Sequence, residues 1–344
     1  MNIKGILLGS AAALAAVSGA QAADAIVAAA PEPAEYVRVC DAFGTGYFYI
    51  PGTETCLKIS GYVRAEVDYS SVDGGRNWNA KTRGLVTFDA KNDSEIGTIG
   101  STITLRAWQG GNTTDLHTTA SDTNSLELDE AFITAGGFMV GSFYNPWDSD
   151  LSGETDDIGS NRLNSIAYKY KTDNFFAYAS VDELSGLYSR TTALSYNRDN
   201  NVGFEAQVGG TFGVINANLL GSYDAAAQEG SVRLLATAEV GPGEFGIAGI
   251  YTSGVNAYYD LAKWTVAGQY AVKITDKLSL TPGIQYWSGT DANLKNGDIT
   301  RGGVTVDYKI ASGLAAKVSA QYQDKDWSGN KDVWTGFVRL QRTF

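Results

Sequence analysis

Three arginines, Arg64, Arg83 and Arg106, and one acid-rich stretch, residues 145–163, are the groups whose types and spacing could do chemistry. Each arginine falls on the polar side of a run in which apolar and polar residues alternate, and the three runs follow one another in the chain. The stretch reads NPWDSDLSGETDDIGSNRL; it carries Asp148, Asp150, Glu154, Asp156 and Asp157, with Arg162 as its only base. Fixed carboxylates facing fixed guanidiniums across a narrow gap would set up a transverse field that orients dipolar solutes and penalises apolar ones. That is the chemistry of permeation, in which width and charge select and no bond is made. Two blander readings stand beside it. The arginines could pair with nearby acids such as Glu66 and Asp89, and the acidic stretch could be a solvated outer loop.

Bond-making chemistry finds little support. His117 is the only histidine and sits in a polar segment, TTDLHTTA, where a Ser-His-Asp hydrolase would have to recruit it. Two cysteines and one histidine cannot build a Cys/His metal cluster, and neither a Walker loop nor a dinucleotide fingerprint is present. The expectation is no catalytic residue, no metal, no cofactor and no enzyme. A net charge of −12 argues against a nucleic-acid partner, which wants a basic face.

The elements that would position these charges begin after an export signal. Lys4, the apolar run 6–17 and the small-x-small site Ala20-Gln21-Ala22 predict a signal peptide over 1–22, cleaved after Ala22. Residues 23–56 read as an Ala/Pro/Glu-rich arm followed by a cysteine loop, and 57–344 as the main domain. In an exported chain Cys40 and Cys56 are expected to form a disulfide, worth about 3 kcal/mol for a loop of this size in the chain-entropy model.

From Leu57 onward the period is two. Val63, Ala65, Val67 and Tyr69 alternate with Tyr62, Arg64, Glu66 and Asp68; Val304, Val306, Tyr308 and Ile310 alternate with Thr305, Asp307 and Lys309. Many runs approach the ~9 to 11 residues that a tilted strand needs to cross a bilayer. Short connections (91–97, 172–174, 240–244, 311–313) occur alongside long polar ones (70–81, 109–124, 145–163, 288–300, 324–332), the loop asymmetry of outer-membrane barrels. The mean hydropathy of −0.15 is compatible with this, because only alternate residues of a barrel strand face lipid. Sixteen to eighteen runs can be counted, depending on how 201–223 and 258–272 are cut, and sixteen is expected. The prediction is an all-β fold, a 16-stranded antiparallel transmembrane β-barrel with its third external loop, 145–163, folded inward. Tyr69, Trp108, Tyr196, Tyr223, Tyr286 and Trp334 lie near strand ends and read as interfacial girdle residues.

The closing run 333–344, VWTGFVRLQRTF, ends on Phe344 and resembles the signal by which outer-membrane barrels present their last strand to the barrel assembly machinery. Arg342 shares the Phe344 face and would sit at the membrane edge, where charge costs only about 0 to 1 kcal/mol.

Segment 37–66, VRVCDAFGTGYFYIPGTETCLKISGYVRAE, resembles the start of the alphaproteobacterial general diffusion porins of the rhizobial and brucella type. The cysteines flanking YFYIPGTET and the following GYVR carry most of the likeness. Ala23-Asp24-Ala25, the run 203–223 and the close at 339–344 extend it over essentially the whole chain. The resemblance implies a homotrimer of 16-stranded barrels in the cell outer membrane, among its lipid and lipopolysaccharide, with a third loop inside each channel. It also implies passive diffusion of small hydrophilic solutes and ions. The PEFGG signature of enterobacterial third loops is replaced here by PWDSD. Five acids against one arginine in that loop lead us to expect mild cation preference. A channel selective for a sugar or an organic acid, and a plugged barrel with a structural or adhesive role, are the competing expectations.

Overall fold

The computed structural model describes residues 38–72, 77–110, 126–185, 200–325 and 332–344. The signal segment 1–22 with its cleavage site, most of the arm, His117 and Tyr196 lie outside the described residues. A short strand β1 (Phe48–Tyr49) precedes β2 (Cys56–Ser70), β3 (Trp78–Ser94), β4 (Gly97–Gly110), β5 (Leu126–Ala135) and β6 (Phe138–Tyr144). The chain continues through β7 (Arg162–Lys171), β8 (Phe175–Glu183), β9 (Val202–Phe212), β10 (Ile215–Asp224) and β11 (Glu229–Val240). It ends with β12 (Gly243–Thr252), β13 (Trp264–Lys273), β14 (Leu278–Ser288), β15 (Asp298–Ala311), β16 (Leu314–Lys325) and β17 (Val333–Thr343).

From β2 onward each strand pairs antiparallel with the next, and β17 returns to pair with β2. The result is a closed 16-stranded barrel, which leaves no free sheet edge along its wall. Closure requires each backbone polar group in lipid to find a partner within the barrel itself.

Period-two patterning decides which face meets lipid. On β2, Val63, Val67 and Tyr69 are exposed outward, whereas Glu66 and Ser70 are buried. On β11, Val232 and Leu234 are about half exposed while the intervening Arg233 is fully buried. On β17, Trp334, Val338 and Leu340 form the outward row. An exposed apolar surface of this extent is the lipid face of a membrane barrel, with the polar residues turned to the lumen.

One mouth carries only short connections: 95–96, 136–137, 172–174, 213–214, 241–242, 274–277 and 312–313. Most connections at the other mouth are longer, including 145–161, 253–263 and 289–297. Strands run further than composition suggests. β3 continues through Ser94, so the connection expected at 91–97 shrinks to two residues, because pairing with β4 extends past the apolar belt. The run 258–272 divides the other way: Tyr258 and Tyr259 belong to a connection, and β13 begins at Trp264.

The cysteine loop finishes the seam. β17 gives way at Phe344, whose N–H and C=O pair with Gly61 at 3.0 and 3.1 Å. β1 then pairs with the start of β2, Phe48 opposite Leu57 and Tyr49 opposite Cys56. Cys40 and Cys56 form a disulfide with a Cα–Cα distance of 6.0 Å and are buried with Tyr47, against Phe43 and Tyr49. The Tyr47 hydroxyl donates to Asp89 on β3, which also pairs with Lys91 at 3.3 Å.

Candidate functional site: residues 145–161 and the polar inner wall

Residues 145–161 leave β6 and meet inner-face side chains of strands on the far side of the barrel. Asn145 accepts the Trp147 N–H at 3.1 Å, starting a single helical turn, and its amide donates to Glu205 on β9. The fully buried Arg233 of β11 donates to three carbonyls of the segment: Pro146 at 2.5 Å, Trp147 at 2.9 Å and Ile158 at 3.3 Å. Gln285 of β14 accepts the Asp157 N–H at 2.6 Å and donates to its carbonyl at 3.1 Å. Thr305 of β15 accepts the Glu154 N–H at 3.1 Å, and Gln321 of β16 donates to the Glu154 carbonyl. The Glu154 carboxylate pairs with Lys317 of β16 at 2.7 Å and Arg339 of β17 at 3.4 Å.

Apolar packing reinforces these bonds. Trp147, Leu151 and Ile158 are buried in one cluster with Leu220, Leu235, Ala248 and Ala267 of the wall and with Tyr258 and Tyr259 of the 253–263 connection. The Trp147 ring stacks on Tyr259 with centroids 6.0 Å apart. The wall is kept shallow beneath the segment. A Cβ on Gly246 would lie 2.9 Å from Leu151, and one on Gly283 or Gly303 would lie 3.0 or 2.9 Å from Thr155. A row of larger residues there would hold the segment off the wall.

The acids differ in how far they are neutralised. Asp148 accepts from Ser160 at 2.5 Å, and Asp156 accepts from the Leu151 N–H at 3.1 Å and from Gln269. Burial raises both carboxyls above the usual range. Asp150 is solvent-exposed, yet enough protein crowds it, together with the charges of Asp156 and Asp148, to push its pKa up to about 7 against the opposing pull of Arg233.

A family model described as the porin subfamily matches residues 24–339. The chain belongs to the porin subfamily. This porin is 46% identical over 341 residues to outer membrane protein IIIA of Rhizobium leguminosarum bv. viciae, covering 94% of this chain and 90% of that one. It is 32% identical over 377 residues to porin Omp2a of Brucella suis biovar 1, covering 100% of both. Among solved structures, the outer membrane channel DcaP of Acinetobacter baumannii superposes with a TM-score of 0.65 at 15% identity, over 86% of this chain and 99% of that one. OmpT of Vibrio cholerae in its trimer form gives 0.60 at 12%, over 85% and 100%. The structural neighbours show the fold, and the family and its relatives place this porin in the outer membrane.

The porin brings Arg64 and Arg83 directly opposite each other across β2 and β3. Arg64 donates to Gln341 at 2.8 Å, and Arg83 donates to the Tyr62 hydroxyl at 3.0 Å while lying 3.8 Å over the Trp108 ring. Neither makes an ion pair among the described residues. Arg106 does, with Glu127 and with Asp129 at 3.1 Å, and Arg162 shares Asp129 at 2.5 Å. The acids considered as partners for these arginines are engaged elsewhere: Glu66 with Arg339 and Lys81, Asp89 with Lys91. Trp108 corrects the girdle expectation, since it lies under Arg83 and Lys81 on the inner side. Tyr69, Tyr223 and Trp334 do stand outward, about half exposed. Sequence reasoning missed Arg233, Lys317, Arg339 and the glutamines of β13, β14 and β16. Each is one more polar residue on a wet face, with no motif to mark it.

Proposed function

We propose that this porin is a general diffusion channel whose constriction is formed by residues 145–161 folded into the barrel against the inner wall. Its solutes are small and hydrophilic, and its ion preference is mildly for cations. The observation that carries this reading is the strapping of the segment to wall side chains of all seven strands from β11 to β17. Those bonds hold the backbone of the segment and spend only one of its five acids, Glu154, in ion pairs. Arg64 on β2, which adjoins β17, and Arg83 on β3 supply the opposing positive charge; Arg106 contributes less because Glu127 and Asp129 neutralise it. Assembly as a homotrimer, the form named for OmpT, fits the shared fold.

Reversal potential in planar bilayers across a KCl gradient tests the reading. Cation preference is expected, reduced by Asp150→Asn. Anion preference would refute the selectivity, and failure to conduct KCl would refute the open channel.

A further inference from the structure

Below the start of the 145–161 segment the inner wall of β6 to β10 lines a half-open cavity of about 420 Å³, within the range of small-molecule sites. Lys169 and Lys171, two residues apart on β7, both line it. Their Cβ atoms are on the order of 7 Å apart on one face. Neither makes an ion pair among the described residues, and no carboxylate is among the lining side chains. Two like charges side by side without a counterion are unfavourable unless something anionic joins them.

The rest of the lining is mainly aromatic and amide, with Met139, Pro146 and Ser149. Tyr178 of β8 stands directly opposite Lys169, and Phe176 directly opposite Lys171. Phe143 of β6 adds a third ring, buried against Tyr178 in the same cluster. The Tyr178 ring lines the cavity, while its hydroxyl is buried behind it on the side of Ser180, Glu205 and Asp182. Gln207 and Asn218 are already bonded to each other at 3.0 Å along one edge. A second depression of about 280 Å³ shares Lys171, Phe176 and Asn218 and leads past Asp173 toward the mouth with short connections.

Paired ammonium groups and ring faces in one concavity match an anion with a flat apolar body. We propose that this cavity is a binding station for small aromatic carboxylates, the carboxylate held between Lys169 and Lys171. The ring lies against Phe176 and Phe143. A simple inorganic anion would leave the rings unused, and a sugar would leave the lysines unneutralised. The station rests on the channel reading only in that the lumen gives access to it.

Fluorine NMR titration of the folded porin in detergent with 4-fluorobenzoate tests the proposal without requiring ion flow, so failure to conduct would sink the channel reading alone. Saturable binding is expected, weakened at least tenfold in Lys169→Gln/Lys171→Gln and retained in Lys169→Arg/Lys171→Arg. Phe176→Ala should weaken it at least threefold. Trifluoroacetate and 4-fluorobenzyl alcohol, which each keep half of the chemistry, should bind at least tenfold more weakly than 4-fluorobenzoate. Equal binding of 4-fluorobenzoate and trifluoroacetate, or binding unchanged in the double glutamine variant, would overturn it. Heat-modifiable migration and retained binding by the double arginine variant show that the fold is intact.

Discussion

Under the proposed function, Asp150 should make cation preference switch near neutral pH. Crowding by the surrounding protein, followed by the neighbouring charges of Asp156 and Asp148, lifts its carboxyl to about 7, so it is mostly charged above that pH and mostly neutral below it. At pH 6 about 10% of channels carry the charge and at pH 8 about 90%. A cation passing about 5 Å away gains about 0.8 kcal/mol in water. Screening at 0.1 M salt trims this to about 0.5 kcal/mol. That enriches cations about twofold and depletes anions equally, so the permeability ratio of K⁺ to Cl⁻ should rise about fourfold from pH 6 to pH 8. Reversal potentials at fixed salt gradient measure the ratio directly. Asp150→Asn should flatten the curve between pH 6 and 8 at the low-preference level. Asp148, Asp156, Asp157 and Arg233 share the surroundings, so a step that survives in Asp150→Asn would assign the titration to one of them and refute the role given to Asp150.

The anchorage of 145–161, the disulfide and the barrel seam each give a further expectation. Arg233→Met deletes three charge-assisted hydrogen bonds, each worth about 1.5–3 kcal/mol, but also removes the burial cost of a guanidinium. A net loosening of about 3 kcal/mol should appear as larger, noisier single-channel conductance and faster proteolysis within the segment. Replacing both Cys40 and Cys56 by serine should cost about 3 kcal/mol in the chain-entropy model while leaving the barrel closed, seen as a lower melting temperature with unchanged conductance. Gly61→Val puts a Cβ 2.1 Å from the Leu85 carbonyl, at the residue that pairs with Phe344. The folded yield into vesicles should fall severalfold, read as the heat-modifiable fraction.

The strands were legible because lipid enforces alternation. Val63, Val67 and Tyr69 cannot trade places with Arg64, Glu66 and Asp68 without exposing charge to hydrocarbon, so their faces are written in the order of residues. The connection 145–161 was legible as a long acidic stretch after the fifth barrel strand. What holds it was not legible. Arg233, Gln285 and Lys317 lie between 75 and 163 residues away from the groups they bind. On their own strands they look like any residue facing water. Leu220 and Leu235 even break the alternation, buried inward where polar residues are the rule, and only the presence of Trp147 and Leu151 over them explains it. Trp108 was misplaced because an aromatic near a strand end fits a girdle equally well as a platform for Arg83.

How the segment is held also bears on its charge. A basic wall that met the acids one for one would neutralise them and leave a neutral plug. Instead Arg233 donates to carbonyls, Gln285 and Thr305 bond to the main chain, and shallow glycines make room for Leu151 and Thr155. Only Glu154 is drawn into ion pairs. The backbone can therefore be fixed while Asp148, Asp150, Asp156 and Asp157 make no ion pair among the described residues. Mutating the anchors should change how steadily the segment stays in place, and mutating the acids should change which ions pass. If both kinds of substitution moved the same quantity, that division of labour between backbone and carboxylates would be wrong.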